Sequence, residues 1–152
     1  MSMSNKVAAL VIALLAFSLI NSACNNLPPE CEKFFDLPTA RREAEFKTYP
    51  IDKQLDLYMC GMSMEPSQIG LSGYIAANGD KNIPLLLQRL KMERYENRQE
   101  YILVIFSSMA AQGRLKGRQD VVDQLESVVS AMRLAPIKER AQEDLEVVKK
   151  NL

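Results

Sequence analysis

Apolar residues recur along this chain at intervals of three and four positions, the spacing that aligns side chains on one face of an α-helix. Ile51, Leu55, Tyr58 and Met62 form the first of six such stripes. The other five are Ile69, Tyr74 and Ile75; Ile83, Leu86, Leu87 and Leu90; Ile102, Ile105, Phe106 and Met109; Val121, Leu125, Val128 and Met132; and Ile137, Ala141, Leu145 and Val148. Two shorter helices are expected before them, around residues 29–36 and 39–48. This pattern restricts the chain to an all-α fold, because each stripe has to be buried against another helix.

Prolines and a glycine mark the expected ends of these helices. Pro50, Pro66 and Pro84 each stand where a first-turn proline belongs, since the missing N–H needs no partner there. Asn78-Gly79 has the signature of a helix C-terminus. Pro136 is expected to stop the fifth helix.

One segment, Tyr101 to Phe106, is ambiguous. It contains six consecutive apolar residues, several of them β-branched or aromatic, and on its own it fits a buried strand. No second convincing strand exists for it to pair with. We therefore expect a helix that is buried on more than one side.

The helices fall into pairs that can be overlaid. The third and fifth stripes align with an offset of 38 positions, and the fourth and sixth with an offset of 39. A helix pair that recurs every 30–45 residues or so is typical of an α-solenoid. Ile83-Pro84-Leu85-Leu86-Leu87, with Leu90-Lys91 and with Arg98 opening the second helix, resembles one unit of a HEAT repeat. The sequence predicts about six to eight helices in antiparallel pairs, as a HEAT-like α-solenoid or an irregular helical bundle.

The N-terminus carries an export signal. Lys6 precedes an apolar run from Val7 to Ile20, which is followed by Asn21-Ser22-Ala23-Cys24. A charged start, an apolar run of this length and small residues at its end are typical of a secretory signal peptide. The run is shorter than the roughly 20 residues of a membrane span.

The end of that signal resembles the lipobox of bacterial lipoproteins, in which the peptide is cut before a cysteine that then carries lipid. Ser22 and Ala23 fit this pattern, whereas Asn21 stands where the family usually has leucine. The resemblance implies lipidation of Cys24. Ordinary cleavage after Ala23 is the alternative.

The three cysteines of the chain fit one lipid anchor and one disulfide. In an oxidising compartment an odd thiol is a liability, and lipidation of Cys24 leaves Cys31 and Cys60 as a pair. Their bond would attach the N-terminal segment to the helix that ends near Met62. A redox or metal-binding thiol is the alternative, although the sequence has no C-x-x-C pair to support it.

Few residues offer catalytic chemistry. The chain has no histidine, which excludes histidine-dependent triads, Cys-His pairs and imidazole metal sites. No phosphate-binding glycine loop is present. Glu65, Asp80, Glu93 and Glu96 are available carboxylates, but all four fall at expected helix ends and turns. A carboxylate enzyme would need one acid in an apolar cleft that raises its pKa.

Two clusters suggest binding. Met59, Cys60, Met62 and Met64 supply soft donors suited to Cu(I) and resemble the M-x-M segments of periplasmic copper proteins, although Met62 also lies on an apolar stripe. Arg114, Lys116 and Arg118 form a basic cluster that could bind acidic lipid or the carboxylates of a partner, or could simply be a solvated turn.

Charge is otherwise balanced. The chain has 19 basic and 19 acidic residues, and removal of residues 1–23 takes away only Lys6. Such a balance argues against nucleic acid as a partner. On the last helix, Arg140 with Asp144 and Glu146 with Lys150 are spaced to form ion pairs.

The sequence therefore predicts a signal peptide over residues 1–23, a tether over 24–29 and one helical domain over 30–152. The predicted function is that of an envelope-anchored protein-binding or scaffold module without enzymatic activity or cofactor, which faces the periplasm from the outer membrane. A soluble periplasmic or secreted protein is the alternative location. An immunity-type inhibitor of a secreted toxin and a periplasmic copper-binding protein are the alternative functions.

Overall fold

The computed structural model describes residues 27–152, so the predicted signal peptide and Cys24 lie outside the described part of the chain. Within that part, the chain forms eight α-helices, one short 3-10 helix at Asp80–Asn82 and no strand. The helices are α1 (Pro29–Phe35), α2 (Thr39–Thr48), α3 (Ile51–Met62), α4 (Leu71–Ala77), α5 (Ile83–Met92), α6 (Glu96–Ala111), α7 (Gln119–Ala131) and α8 (Ala135–Lys150). The predicted all-α fold and the two predicted short N-terminal helices are confirmed.

Helix α6 is the centre of the fold. It packs against α3, α4, α5 and α8, so neighbours cover it on several sides. Its residues Ile102 to Phe106 are all at most 9% exposed, which confirms the prediction for the ambiguous segment. A run of consecutive apolar residues suits a helix here because almost every direction around its axis leads into the core.

The helices of the predicted pairs form two layers, and α6 belongs to one of them. Helices α4, α6 and α8 lie side by side in one layer, while α5 and α7 pack together in the other. The hydroxyls of Ser72 and Ser108 lie 2.9 Å apart between α4 and α6, and the Gln112 side chain donates to the carbonyl of Gly73 over 3.2 Å. The second helices of the three predicted pairs therefore stack in one layer, as repeats of helix pairs do.

Helix α4 begins later than predicted. It starts at Leu71, not at Pro66, and Ile69 is 52% exposed although it was placed on the buried stripe. The backbone N–H of Gln68 donates to the carbonyl of Gly61 over 3.0 Å, so this part of the connection is held against α3 instead of continuing as a helix. Pro50 likewise precedes α3 at its cap, and Pro136 lies in the first turn of α8.

The last helix makes different ion pairs from those predicted. Arg140 pairs with Glu100 of α6 at 3.3 Å, not with Asp144, and Glu146 pairs with Lys149 at 3.2 Å, not with Lys150. In both cases the spacing along α8 permits the predicted pair. The packing of α8 against α6 brings Glu100 to Arg140, and this contact between helices replaces the local one.

The N-terminal segment is attached to α3 through Cys31 and Cys60, which lie at disulfide-bonding distance with their Cα atoms 6.2 Å apart. Phe34 and Phe35 of α1 are buried beside this link. Phe46 of α2 is fully buried, and its ring centre lies 6.0 Å from that of Phe34. The predicted pairing of the two cysteines is consistent with this geometry, and α1 and α2 belong to the same core as the stacked pairs.

Candidate functional site

The stack presents turns of the chain at two opposite ends. Helix α6 has 16 residues, which corresponds to a length of about 24 Å between the ends. At the end where α6 begins, residues 93–95 and 132–134 connect the helices within two pairs. At the end where α6 terminates, residues 78–82 and 112–118 connect one pair to the next. Each end therefore forms a separate candidate surface.

The basic cluster lies at the end where α6 terminates, in a turn that is fixed by its own sequence. Leu115 is fully buried and anchors the turn to the core. Gly113 and Gly117 adopt positive φ angles of 70° and 71°, which side-chain-bearing residues rarely tolerate. The backbone N–H of Arg114 donates to the carbonyl of Met109 over 2.9 Å. The residues around Leu115 are thus held in one conformation at the surface.

The structure brings Arg114, Lys116 and Arg118 together in this turn but gives them different environments. Arg118 donates two hydrogen bonds of 2.8 Å to the carboxylate of Asp120, and this contact raises the pKa of the guanidinium. Arg114 and Lys116 are exposed and have no salt bridge within residues 27–152. Of the three basic side chains in this turn, only Arg114 and Lys116 are available to a partner without breaking an ion pair within residues 27–152.

A cleft of about 600 Å³ lies where the chain enters the described structure. Its apolar wall includes Leu27, Leu57 and Met59. A second cleft of about 200 Å³ shares Asp56, Met59 and Arg98 with the first and continues to Met92. The two clefts form one surface from the N-terminal segment to the end of α5.

The charged residues along these clefts are already paired with one another. Lys53 of α3 forms an ion pair with Glu30. Arg98 pairs with Glu93 at 3.2 Å, and Arg89 reaches Asp52 and Asp56 at 3.4 Å each. The clefts thus have no strong charge of either sign. Their walls are those of a shallow apolar groove with a neutralised rim.

The methionine cluster packs against the core, and Met59 also lines this groove. Met59 is 8% exposed, and Met62 and Met64 pack against buried residues. Cys60 lies at bonding distance from Cys31. A bonded cysteine has no thiolate to offer a metal, so the predicted copper ligands would include Cys60 only after reduction.

A buried polar cluster between α6 and α8 was not anticipated from the sequence. Glu100 is 6% exposed and pairs with Arg140, and the hydroxyl of the fully buried Tyr58 donates to the carbonyl of Tyr101 over 2.9 Å. Burial raises the pKa of Asp144 to about 6, with a smaller contribution from nearby Glu100. Burial, together with the charges of Asp144 and Glu100, also raises the pKa of Tyr58.

A carboxylate enzyme would need an acid that has a raised pKa and also lies in a cleft, and this cluster meets only the first requirement. Asp144 has the raised pKa, but neither Asp144 nor Glu100 lines either of the two clefts described above. The sequence does contain a signal for the partial burial of Asp144. Asp144 follows Ala141 by three positions and immediately precedes Leu145, which places it at the edge of the buried face of α8.

Two of the four carboxylates singled out from the sequence, Glu93 and Glu96, accept hydrogen bonds from the backbone of turns. Glu96 accepts hydrogen bonds of 2.8 Å from the backbone N–H groups of Arg133 and Leu134, and these bonds lower its pKa. Glu93 accepts from the backbone N–H groups of Arg94 and Tyr95. Glu65 is exposed on the α3–α4 connection, and Asp80 is exposed in the 3-10 helix. The two exposed acids, Glu65 and Asp80, thus differ from Glu93 and Glu96, which are engaged by backbone N–H groups.

No protein-family model, curated protein or solved structure matches this chain. Among residues 27–152, no helix is long and apolar enough to cross a membrane. In the same residues, no group of three or more histidine, cysteine, aspartate or glutamate side chains is arranged to hold a metal ion. Function has to be argued from the surfaces that the fold presents.

Proposed function

We propose that this protein is an envelope-anchored helical module that binds another protein, and that the turn formed by residues 112–118 is its contact surface. The observation that carries the proposal is the environment of Leu115. Its burial holds the turn rigid while Arg114 and Lys116 on either side project into solvent without ion-pair partners among residues 27–152. A fixed loop with two free cations suits a partner with acidic side chains.

The rigidity of this turn is relevant to affinity. A loop that is already ordered loses little conformational entropy when it binds, so more of the contact energy appears as affinity. The core side of the turn supplies this order through buried Leu115 and through the hydrogen bond from the Arg114 N–H to the Met109 carbonyl. Arg114 and Lys116 can therefore be substituted individually without removing the part that shapes the turn.

The proposal also includes the anchor, which lies outside the described residues. Cys24 precedes the first described residue by three positions, and Cys31 and Cys60 lie at disulfide-bonding distance from each other. Lipidation of Cys24 would use the remaining cysteine. We expect the mature protein to begin at Cys24 and to carry acyl chains, which mass spectrometry of the protein isolated from membranes would detect.

Photo-crosslinking in the native envelope tests the contact surface. A photoreactive residue in place of the exposed Gln119, next to the turn, should yield a specific crosslinked product, whereas one at the exposed Gln142 on α8 should not. The double substitution Arg114→Glu with Lys116→Glu should abolish the product. The matched control is Lys33→Glu with Lys150→Glu, two exposed lysines elsewhere, which should leave it intact.

A product that survives the Arg114 and Lys116 substitutions would contradict the proposed surface. If the crosslinked protein is a secreted toxin, the immunity-type function is favoured. An envelope assembly component would instead favour the scaffold.

A further inference from the structure

The end of the stack opposite the basic turn carries an exposed apolar patch. Met92 is 69% exposed, Tyr95 is 66% exposed and Leu134 is 57% exposed. Glu96 accepts backbone hydrogen bonds from Arg133 and Leu134, which ties the α5–α6 connection to the α7–α8 connection. The three apolar side chains thus lie on two turns that form one surface.

Two arginines accompany these apolar residues, and neither has an ion-pair partner within residues 27–152. Arg94 and Arg133 are exposed and directly precede Tyr95 and Leu134. The nearby carboxylate of Glu93 is engaged by two backbone N–H groups and by Arg98, just as the other turn's backbone engages Glu96. We call Met92, Arg94, Tyr95, Arg133 and Leu134 the turn patch. It combines apolar side chains with unpaired positive charge.

The chain enters the described structure on the same side. Leu27 lines a cleft together with Arg98, and the adjoining cleft, which also includes Arg98, is lined by Met92 of the turn patch. Cys24 lies three residues before Leu27, and three extended residues span at most about 11 Å. A lipid on Cys24 would therefore hold this side of the domain close to the bilayer.

We propose that the turn patch rests on a bilayer surface containing anionic phospholipid, an inference that depends on the proposed anchor at Cys24. Tyrosine, methionine and leucine can enter the headgroup region, while arginine keeps its guanidinium at the phosphates. Such a surface attracts each nearby basic residue only weakly, so two arginines do not recruit the domain alone. The short tether supplies the high local concentration at which a weak contact becomes populated.

This orientation directs the basic turn away from the membrane. Residues 112–118 lie at the far end of α6, about 24 Å from the turn patch. Arg114 and Lys116 would then face the surrounding compartment, where a protein partner can reach them. The two surfaces have separate occupants and can be tested separately.

Tryptophan fluorescence can report which end lies at the bilayer, because the chain contains no tryptophan. The whole chain from Cys24 onward is coupled through its Cys24 thiol to a maleimide lipid in phosphatidylcholine vesicles that contain phosphatidylglycerol. Cys31 and Cys60 are protected by their pairing. The reporters are Tyr95→Trp in the turn patch and Lys116→Trp at the opposite end, and the quencher is a brominated phospholipid.

We expect brominated lipid to quench the emission of the Tyr95→Trp variant and to leave that of the Lys116→Trp variant unchanged. Adding Arg94→Glu and Arg133→Glu to the Tyr95→Trp reporter should reduce the membrane-seated population by about tenfold or more, since two attractive charges become repulsive. Adding Arg114→Glu instead should not affect quenching. Circular dichroism checks that each variant is folded.

Equal quenching at both ends, or none at Tyr95→Trp, would overturn the inference. In the second case, an acidic segment of a protein would be the expected occupant of the turn patch. Because the vesicle attachment is chemical, this result does not depend on whether cells lipidate Cys24. Failure of the proposed anchor would appear separately, as an unmodified Cys24 in protein isolated from membranes.

Discussion

Replacement of Asp144 by asparagine should stabilise the protein at neutral pH. Burial raises the pKa of the Asp144 carboxyl to about 6, because the space between α6 and α8 disfavours its charged form and nearby Glu100 and Glu143 repel it. The polar side chain of nearby Ser107 lowers the pKa of Asp144 and offsets only part of this cost. Asparagine has nearly the same shape and stays uncharged, so the Asp144→Asn variant avoids the penalty of a buried charge.

The magnitude follows from the difference between the folded and unfolded pKa values of Asp144. The ordinary value is 3.8, so between pH 3.8 and about 6 the folded state binds more protons than the unfolded state. The stability due to this proton is complete below pH 3.8 and is lost as the pH rises through 6. The difference between a pKa of 3.8 and one of about 6 corresponds to at most about 3 kcal/mol. Partial exposure of Asp144 to solvent reduces this to about 1–2 kcal/mol.

Urea denaturation at several pH values measures this effect. The Asp144→Asn variant should exceed the wild type by about 1–2 kcal/mol in the free energy of unfolding near pH 7.5, with the difference vanishing near pH 3. The control is Glu139→Gln, an exposed position on the same helix, which should change stability little at either pH. A difference that is constant with pH, or that grows as the pH falls, would refute the reasoning.

Three further predictions concern stability. Alanine at Gly61 would place its Cβ 2.8 Å from two side-chain carbons and should destabilise the protein by about 1–3 kcal/mol. Alanine at Gly73, where no atom lies within 4 Å of the new Cβ, should instead stabilise the protein by about 0.5–1 kcal/mol. Thermal melts of both variants test these opposite signs. Serine at both Cys31 and Cys60 should cost about 3–4 kcal/mol by removing a cross-link across 29 positions, and reductant should destabilise the wild type but not this variant. Tyr58→Phe should cost about 1 kcal/mol by removing a 2.9 Å hydrogen bond, and an unchanged urea midpoint would contradict this.

The helices themselves were largely predictable. Val121 and Leu125, for example, lie one turn apart on the same helix, and local spacing alone predicts that both are buried, as the structure shows. The exception is the start of α4. Pro66 provides a valid local signal, but the contact of Gln68 with Gly61 of α3 delays the helix until Leu71. A contact with another helix thus overrode a local preference.

The candidate surfaces were only partly predictable. The sequence placed Arg114, Lys116 and Arg118 in one turn, but the pairing of Arg118 with Asp120 depends on side-chain geometry that spacing does not specify. The turn patch was not anticipated. Tyr95 and Leu134 are 39 positions apart, and they share a surface only because Glu96 joins their two turns.

The sequence by itself determined that this chain is helical and approximately where its helices lie, because periodicity and proline positions are properties of neighbouring residues. Only the tertiary structure decided which charges are free. The packing of α8 against α6 pairs Glu100 with Arg140 and leaves Asp144 partly buried with a raised pKa. Ion pairs and burial between helices depend on how two helix faces meet, and no spacing within either helix contains that information.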